Sequence, residues 1–364
     1  MVTKKNLLII SPTLPDPTMS AGDYRAYSLT KELKKYFNIF FIPLNYKNLT
    51  PDNLKNFIKV TDKIFKPINS KIKFKNFLLK NKISICIIEK YFSMPFDVCK
   101  LLPLVSIPII DVHEIGFIKS LALSKLKKTN YLKLFKAKEL IFYKNAKILI
   151  AITDKEKILL QKYFPEKIII VVPTCTAVLK SINKNFNERK DLCYFGYFGH
   201  TPNVDAANYF IKNVFNKIKN KLPELKFYVL GYGSKNIKNT NDVISVDNIK
   251  NILKELSKYK VFVCPLRYGA GLKKKILDAM AAKTPIVSTS FGTEGIKNIE
   301  KNFFSIHNEN FVTETVKLYT DKRYWKKESV KNFNIVQKYY SISAFKKYVK
   351  TLAMQINLLY KKIN

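Results

Sequence analysis

The sequence predicts an α/β protein made of two doubly wound, Rossmann-like domains that face each other across a cleft. Three observations lead to this prediction. Short apolar runs alternate with helix-length periodic segments from one end of the chain to the other. The runs are almost continuously apolar, which is typical of parallel strands that helices cover on both faces. A chain of 364 residues is also long enough for two domains of roughly 150–190 residues each.

The first series of strand-like runs predicts an N-terminal domain over residues 1–175. Helical patterns such as Asp23–Tyr36 and Asp154–Tyr163 lie between these runs. Residues 176–190 follow, and their polar, aperiodic composition predicts a linker. The runs of this domain are Asn6–Ser11, Ile39–Leu44, Ile83–Glu89, Ile107–Val112, Ile148–Thr153 and Ile168–Val172.

The second series begins at Leu192 and predicts a second domain over residues 191–344. Two series in tandem indicate two open sheets, each with helices on both faces. The chain is helical in pattern from Asn310 onward, and residues 345–364 are predicted to form a C-terminal helix that packs back on the N-terminal domain. The strand-like runs of the second domain are LCYFGYFG, LKFYVLGYG, DVISV, KVFVCPL, PIVSTS and FFSIH, and its helices are Val204–Lys221, Ile249–Tyr259 and Leu272–Lys283.

The formal net charge of +38 does not by itself indicate a nucleic-acid partner. Lysine supplies nearly all of the 65 basic residues, a usage typical of an AT-rich genome. Proteins that read nucleic acids keep arginine for bidentate contacts with bases and phosphates. We therefore expect no nucleic-acid partner. The arginines are Arg25, Arg189, Arg267 and Arg323.

Other features of the sequence indicate a cytoplasmic protein. No run approaches the ~18–20 apolar residues of a membrane span, and the first residues are typical of a β-strand rather than a signal peptide. The five cysteines are widely spaced, which favours buried thiols in a reducing compartment. Two segments, residues 47–82 and 119–138, interleave lysine with phenylalanine and leucine. They fit solvated helix faces and attachment to the anionic inner face of a membrane equally well.

Glycine is scarce in this chain, and its positions are informative. Nearly all of the ten glycines follow the carboxyl end of a predicted strand, the edge at which open α/β sheets bind ligands. Gly269 and Gly271 stand in the loop RYGAG, directly before a helix predicted to begin near Leu272. Free N–H groups at a helix start suit phosphate, and glycines let backbone amides approach it. With Lys275 and Asp278 on the helix, the loop predicts a site for phosphates and sugar hydroxyls, both of which a sugar nucleotide carries.

Residues 195–295 resemble the donor-binding domain of the family 4 glycosyltransferases, which have the two-Rossmann-domain fold called GT-B. The matching segments are FGYFGHTPNVDAANYF, LKFYVLGYG, VFVCPLRYGAGLKKKILDAMAAKTPIVSTS and FGTEGI. A weaker resemblance covers residues 6–175 through SPTLPDPTMSAGDYRAYSLTKEL, IPIIDVHEIG and AKILIAITDKEK. Family members of this type retain the anomeric configuration of the sugar that they transfer.

The resemblance implies a role for each matching residue. Asp278 would hold the ribose hydroxyls, Arg267 and Lys275 would bind the diphosphate, and His113 would lie beside the donor sugar and the acceptor. Arg25 and Arg267 also stand out by composition, because a lysine-rich chain has kept a planar guanidinium in each of these loops. The remaining donor-binding positions are Ala21, Gly22, Gly199, Asn203, Gly269, Ala270, Gly271, Leu272, Thr293 and Glu294.

The sequence departs from the family pattern at two places. Many members carry two glutamates eight positions apart, whereas this chain has Ala270 and the shorter Asp278. A direct acid contact with the donor sugar is thereby lost. Near the first strand an expected glycine pair is replaced by Ala21 and Gly22. Asp278 can also be interpreted as a helix acid that pairs with a neighbouring lysine, and His113 as a turn histidine.

These observations together favour a retaining glycosyltransferase that transfers a sugar from a nucleotide-sugar to a hydroxyl of a glycan or lipid-linked glycan, as in cell-surface polysaccharide or glycolipid synthesis. The candidate site has no acidic pair of D-x-D spacing, so neither a metal ion nor another cofactor is expected. It has no well-placed carboxylate nucleophile, which favours front-face displacement. Two alternatives stay open: a sugar-nucleotide epimerase of the same fold, and a catalytically silent partner of an active transferase.

Overall fold

The computed structural model describes residues 4–18, 20–45, 50–68, 70–89, 101–113, 115, 132–179, 184–237, 239–269, 271–299 and 309–363, with the backbone alone for residues 53 and 132–138. The chain divides into two compact units. Unit 1 comprises Met1–Pro173 and Lys346–Asn364, and unit 2 comprises Thr174–Phe345.

Within the described part of unit 1, seven strands form one parallel sheet in the order β3-β2-β1-β4-β5-β6-β7. Its central strands are isoleucine-rich and fully buried, as expected when both faces of a sheet are covered. Glu89 and Asp111 are register partners at the carboxyl ends of neighbouring strands. The strands are β1 (Lys5–Thr13), β2 (Phe37–Asn45), β3 (Lys63–Ile64), β4 (Ile83–Glu89), β5 (Ile107–Asp111), β6 (Ile148–Ala151) and β7 (Ile168–Val171).

Capping residues mark the start of three helices of unit 1. Ser20 caps the first of them by accepting a hydrogen bond from the Asp23 amide. Thr153 and Glu156 form a reciprocal capping box at the last. The helices are α1 (Ala21–Leu33), α2 (Pro51–Ile58), α3 (Lys71–Lys80), α4 (Leu132–Asn145) and α5 (Asp154–Tyr163).

Among the residues described in unit 2, five strands form a second parallel sheet in the order β10-β9-β8-β11-β12. Its core contains many aromatic side chains. Two of them, Phe210 and Phe227, have ring centroids 4.8 Å apart. The strands are β8 (Lys190–Phe195), β9 (Phe227–Leu230), β10 (Val243–Val246), β11 (Tyr259–Cys264) and β12 (Ile286–Ser288). The helices are α6 (Thr201–Phe210), α7 (Asn216–Lys219), α8 (Ile252–Leu256), α9 (Lys274–Ala281), α10 (Glu309–Thr320), α11 (Lys322–Tyr339) and α12 (Ile342–Ile363), and a π-helical segment (Ile211–Phe215) joins α6 to α7.

The last helix, α12, crosses the boundary between the units. Its residues from Lys346 onward belong to unit 1. There the Lys5 ammonium donates a hydrogen bond of 2.8 Å to Asn357 Oδ1 and lies 4.3 Å from the ring centroid of Tyr360. These contacts tie the C-terminal helix to the start of β1.

The predicted fold class, two α/β domains with parallel sheets, is confirmed. The two-residue edge strand β3 was not predicted, because a run so short carries no periodic signal. Within residues 176–190, predicted as a linker, Thr176 and Arg189 are buried in unit 2. The predicted strand FFSIH lies outside the described residues. In the part of the chain that is described, no helix is both long and apolar enough to cross a membrane.

Candidate functional site

The loops at the carboxyl edge of the unit 2 sheet carry most of the predicted site residues. Because its strands are parallel, the loops that follow β8, β9, β11 and β12 meet at one edge. The loop after β8 leads into α6, and the loop after β11 leads into α9. Side chains from α6 and α9 meet at this edge.

The loop after β11 depends on its glycines. Gly269 has a φ of 142° and Gly271 a φ of 74°, values that residues with a Cβ rarely adopt. Gly271 O accepts a 2.5 Å hydrogen bond from the Lys273 ammonium. Helix α9 begins at Lys274 rather than at the predicted Leu272, because Lys273 is still extended with ψ near 101°. Leu272 packs against the core of unit 2, and Ala270 lies outside the described residues.

Lys275 is the centre of a polar network directly beside Gly196. Its ammonium donates hydrogen bonds to Asn203 Oδ1 at 2.5 Å and to Tyr194 Oη at 3.0 Å. The Asn203 amide nitrogen in turn donates to the Tyr197 carbonyl at 2.7 Å. A Cβ at Gly196 would lie 3.0 Å from the Asn203 amide and 3.2 Å from Lys275 Nζ, so a larger residue there would push these side chains of the network out of place.

The electrostatics of Lys275 follow from this enclosure. Burial lowers the pKa of its ammonium from the usual 10.5 to about 8, and the nearby Lys273 acts in the same direction, against the influence of Cys264. An ammonium held at such a pKa gains strongly from a bound anion, which would compensate the charge that burial disfavours. A phosphate is the kind of group that provides this.

Asp278 is buried and already has partners inside unit 2. It is 2% exposed, and its Oδ1 accepts hydrogen bonds from Thr176 at 2.6 Å and from Lys274 at 2.7 Å. Its Oδ2 accepts a second bond from Lys274 at 2.9 Å. A carboxylate has about four acceptor positions, so one stays available on Oδ2. To accept two hydroxyls of a ribose, Asp278 has to release Lys274.

Arg267 is likewise paired within the protein. Its guanidinium makes a bidentate ion pair with Asp205 of α6, in which Nε lies 2.9 Å from Oδ2. The guanidinium also lies 4.4 Å from the ring centroid of Tyr209. Hydrogen bonding to Asp205 raises the pKa of Arg267. One-third of the side chain is exposed, at 33%, so a ligand can reach it without displacing Asp205.

The other predicted residues of unit 2 lie along the same edge. Gly199 follows β8 and packs against the ring of Tyr197. Thr293 is buried in the loop after β12 and donates to the Thr289 carbonyl at 3.4 Å. Its neighbour Glu294 lies 3.8 Å from the Lys273 ammonium, which links the loops after β11 and β12.

A second polar cluster occupies the carboxyl edge of the unit 1 sheet. Arg25 and Asp111 form a buried bidentate ion pair with distances of 3.0 and 2.6 Å, and Arg25 also donates to the Val172 carbonyl at 2.6 Å. His113 Nε2 lies 3.0 Å from Asp111 Oδ2. Burial alone would raise the pKa of Asp111, but the charge of Arg25 and the interaction with His113 hold it below the usual value. The carboxylate therefore stays ionised and can orient the His113 ring.

Asp111 and Glu156 were not identified from the sequence as part of this cluster. Burial raises the pKa of Glu156 to about 7, against hydrogen bonds from the Ile152 and Thr153 amides. A usable signal existed for Asp111, since an acid at the end of the apolar run IPIID must be buried with a partner. Ala21 and Gly22 begin α1, at the same edge of the sheet.

Among the described residues, no group of three or more histidine, cysteine or acidic side chains has an arrangement that could hold a metal ion.

Comparison with known proteins places the unit 2 site inside a recognised domain. Residues 189–321 match the family model described as glycosyl transferases group 1. This segment contains the network around Lys275, the glycine loop and Asp278. No curated protein sequence is significantly similar to the chain.

Solved structures with similar folds are glycosyltransferases of low sequence identity. A mutant of S. aureus TarM, in complex with fondaparinux, α-GlcNAc-glycerol and UDP, superposes with a TM-score of 0.68 at 12% identity, covering 96% of this chain and 99% of that one. A glycosyltransferase from Rickettsia africae ESF-5 superposes with a TM-score of 0.69 at 12% identity, covering 97% of this chain and 98% of that one. The pneumococcal O-GlcNAc transferase GtfA, in complex with UDP and GlcNAc, superposes with a TM-score of 0.54 at 12% identity. The superposition covers 79% of this chain and 59% of GtfA. At such identities the likeness concerns the fold.

Proposed function

We propose that this chain is a retaining glycosyltransferase of family 4 that transfers a sugar from a nucleotide-sugar to a hydroxyl of a glycan or lipid-linked glycan. The observation that carries the proposal is the Lys275 network beside Gly196, within the segment that matches the glycosyl transferases group 1 model. An enclosed ammonium, a glycine loop and a helix start together make an anion site at a sheet edge. A nucleoside diphosphate is the leaving group that such a site stabilises.

In the proposed reaction, positive side chains stabilise the negative charge that develops on the departing diphosphate. Lys275 and the exposed part of Arg267 provide this charge, and the backbone amides at the start of α9 add hydrogen bonds. The family resemblance implies that His113, which Asp111 can orient, would lie beside the donor sugar and the acceptor. Front-face displacement, assisted by the leaving phosphate, would give retention. The reaction proposed here needs no metal ion, so chelation should leave its rate unchanged.

The decisive experiment is a panel of nucleotide-sugars measured by thermal shift, followed by donor hydrolysis and proton NMR of the product. We expect one or more donors to raise the melting temperature, and hydrolysis to release the sugar with its anomeric configuration retained. Binding without retention would contradict the mechanism. An absence of both binding and hydrolysis would contradict the donor site itself.

A catalytically silent binding partner is the second candidate, and one observation favours it. The carboxylate of Asp278 is occupied by Lys274 and Thr176, and the family's other acidic position is Ala270. A silent partner would show neither nucleotide affinity nor donor hydrolysis. The same panel therefore separates the two candidates.

We further propose that the protein works at an anionic membrane surface on the cytoplasmic side. Helix α3 buries Phe74 and Leu78 but leaves Ile72 and Leu79 exposed, at 74% and 67%. These two residues are seven positions apart, two helical turns, and so lie on one face. Lysines at positions 71, 73, 75 and 80 surround them. Apolar residues with flanking lysines are typical of helices that lie on anionic lipid. The segment 119–138 lies outside the residues whose side chains are described.

Cosedimentation with vesicles of mixed anionic and neutral lipid tests this surface. Vesicle binding should be strong at low salt and fall steeply as the salt concentration reaches a few hundred millimolar. Each lysine near the surface contributes ~1 kcal/mol, and salt screens this attraction beyond about one Debye length. Substituting Lys73 and Lys75 by glutamine should weaken binding. The matched control is the same change at the exposed Lys326 and Lys327 of α11, which should have little effect. Equal losses for both pairs would indicate that only the net charge matters.

A further inference from the structure

The cations at the carboxyl edge of unit 2 differ in the charge of their partners. Lys274 pairs with Asp278, Arg267 with Asp205, and Lys273 lies near Glu294. Each of these charges is compensated by a carboxylate of the protein. Lys275 instead donates to the neutral oxygens of Asn203 and Tyr194. Of the basic side chains described in this loop and helix, Lys275 is the one that has no carboxylate partner.

The orientation of Asn203 is fixed by its two ends. Its amide nitrogen donates to the Tyr197 carbonyl at 2.7 Å, so its oxygen must face the other way, toward Lys275. That oxygen also accepts the Tyr194 hydroxyl at 3.2 Å. The side chain is buried, at 7% exposed, and it stands in the first turn of α6. Asn203 thus presents one rigid, neutral acceptor to the ammonium.

An ammonium has three N–H donors, and the network uses two of them. The third is left for a ligand, and Gly196 leaves space beside it, since a Cβ there would lie 3.2 Å from Nζ. An aspartate in place of Asn203 would hold the lysine equally well but would compensate its charge. A neutral amide holds the ammonium and preserves its attraction for an anion.

We propose that Asn203 is the positioning residue for Lys275: together with Tyr194 it holds the ammonium in place, without neutralising it, for a diphosphate bound beside Gly196. The proposal rests on the proposed function and assigns to Asn203 a role exerted through the lysine rather than a contact with the donor. It predicts that the identity of residue 203 controls diphosphate affinity specifically.

The test measures the affinities of nucleoside diphosphates (UDP, GDP, ADP and dTDP), of the corresponding nucleosides and of inorganic pyrophosphate by calorimetry. Asn203→Ala should weaken diphosphate binding by about tenfold, the loss of one charge-assisted positioning bond, and should change nucleoside binding less than about twofold. Asn203→Asp keeps the shape of the side chain but adds a charge. It should also weaken diphosphate binding at pH 7, and it should raise the pKa of Lys275, measured by NMR of the labelled lysine side chain.

Asn208→Ala is the matched control, because Asn208 lies on the same helix and is exposed. It should leave all affinities unchanged. Equal losses for nucleoside and diphosphate in the Asn203 variants, or an unchanged Lys275 pKa in Asn203→Asp, would overturn the positioning role. If the wild type binds pyrophosphate but no nucleotide, the proposed function fails while the positioning role stands. If it binds neither, both fail.

Discussion

Nucleotide affinity should depend on pH through Lys275. Burial lowers the pKa of its ammonium to about 8 in the free protein. A diphosphate binds the charged form, so only the protonated fraction of the protein is competent. For a group with that pKa the fraction is about nine-tenths at pH 7 and about one-tenth at pH 9. The dissociation constant should therefore rise about tenfold between these values, or ~1.4 kcal/mol.

The direction of this effect is opposite to that of folding stability. In the complex the bound diphosphate raises the pKa of Lys275, so affinity is lost as the pH rises through the pKa of the free protein. In the unliganded protein the folded-state pKa, about 8, is below the ordinary value of 10.5. Between these two values the unfolded chain binds more protons, and stability should rise with pH. Affinity and stability should thus change in opposite senses from pH 8 to 10.

Calorimetric titration of a nucleoside diphosphate at pH 7, 8 and 9 measures the effect. Lys275→Met is the matched control, because methionine has a similar length but does not titrate. It should bind weakly, and any residual pH dependence in it belongs to the nucleotide or to other groups. If the wild type and Lys275→Met show the same pH dependence, Lys275 does not bind the diphosphate and the reasoning is refuted.

Three further predictions concern other site residues. Asp278→Asn should weaken nucleoside binding by about 1.5–3 kcal/mol, the contribution of one charge-assisted hydrogen bond, and an unchanged nucleoside affinity would contradict the ribose role. Asp205→Asn should release the Arg267 guanidinium and tighten diphosphate binding, whereas Arg267→Ala should weaken it; weaker binding in both variants would show that the pair acts as a unit. Asp111→Asn should lower the free energy of unfolding by about 3–5 kcal/mol, because it leaves a buried arginine unpaired, while His113→Ala should abolish transfer and change stability by no more than about 1 kcal/mol. Chemical denaturation measures the stabilities, and product assays measure transfer. A large loss of stability in His113→Ala, with transfer retained, would contradict these roles.

Local pattern was sufficient to predict most of the fold. Strands such as Ile83–Glu89 are continuous apolar runs, and helices such as Asp154–Tyr163 follow a capping residue, so both are specified by neighbouring residues. The loop after β11 was predictable for the same reason, since its glycines and the helix that follows are contiguous in sequence. The start of α9 was placed two residues early, because nothing local distinguishes the extended Lys273 from a helical residue.

Partners distant in sequence could not be predicted. Asp205 is 62 positions from Arg267, and Thr176 is 102 from Asp278. Which carboxylate meets which cation is decided by the order of strands in the sheet, and no periodic pattern encodes that. The i,i+4 pair of Lys274 with Asp278 is the exception, since helical spacing alone brings these residues together.

The arginines show why composition was an incomplete guide to the site. The retention of Arg25 and Arg267 in a lysine-rich chain predicts phosphate contacts, and the structure shows that both of them, like the buried Arg189, also pair within the protein. Arg25 binds Asp111 and a backbone carbonyl, Arg189 binds Thr284 and the Ala282 carbonyl beneath a tryptophan, and Arg267 binds Asp205. Each of these positions needs a planar fork with several donors, which lysine cannot supply. A diphosphate can also be bound by a point charge. Lys275, which the neutral amide of Asn203 holds in place, can provide one. Arginine, which is rare in this sequence, therefore meets demanding internal geometry, and the exposed part of Arg267 stays a candidate diphosphate contact beside Lys275.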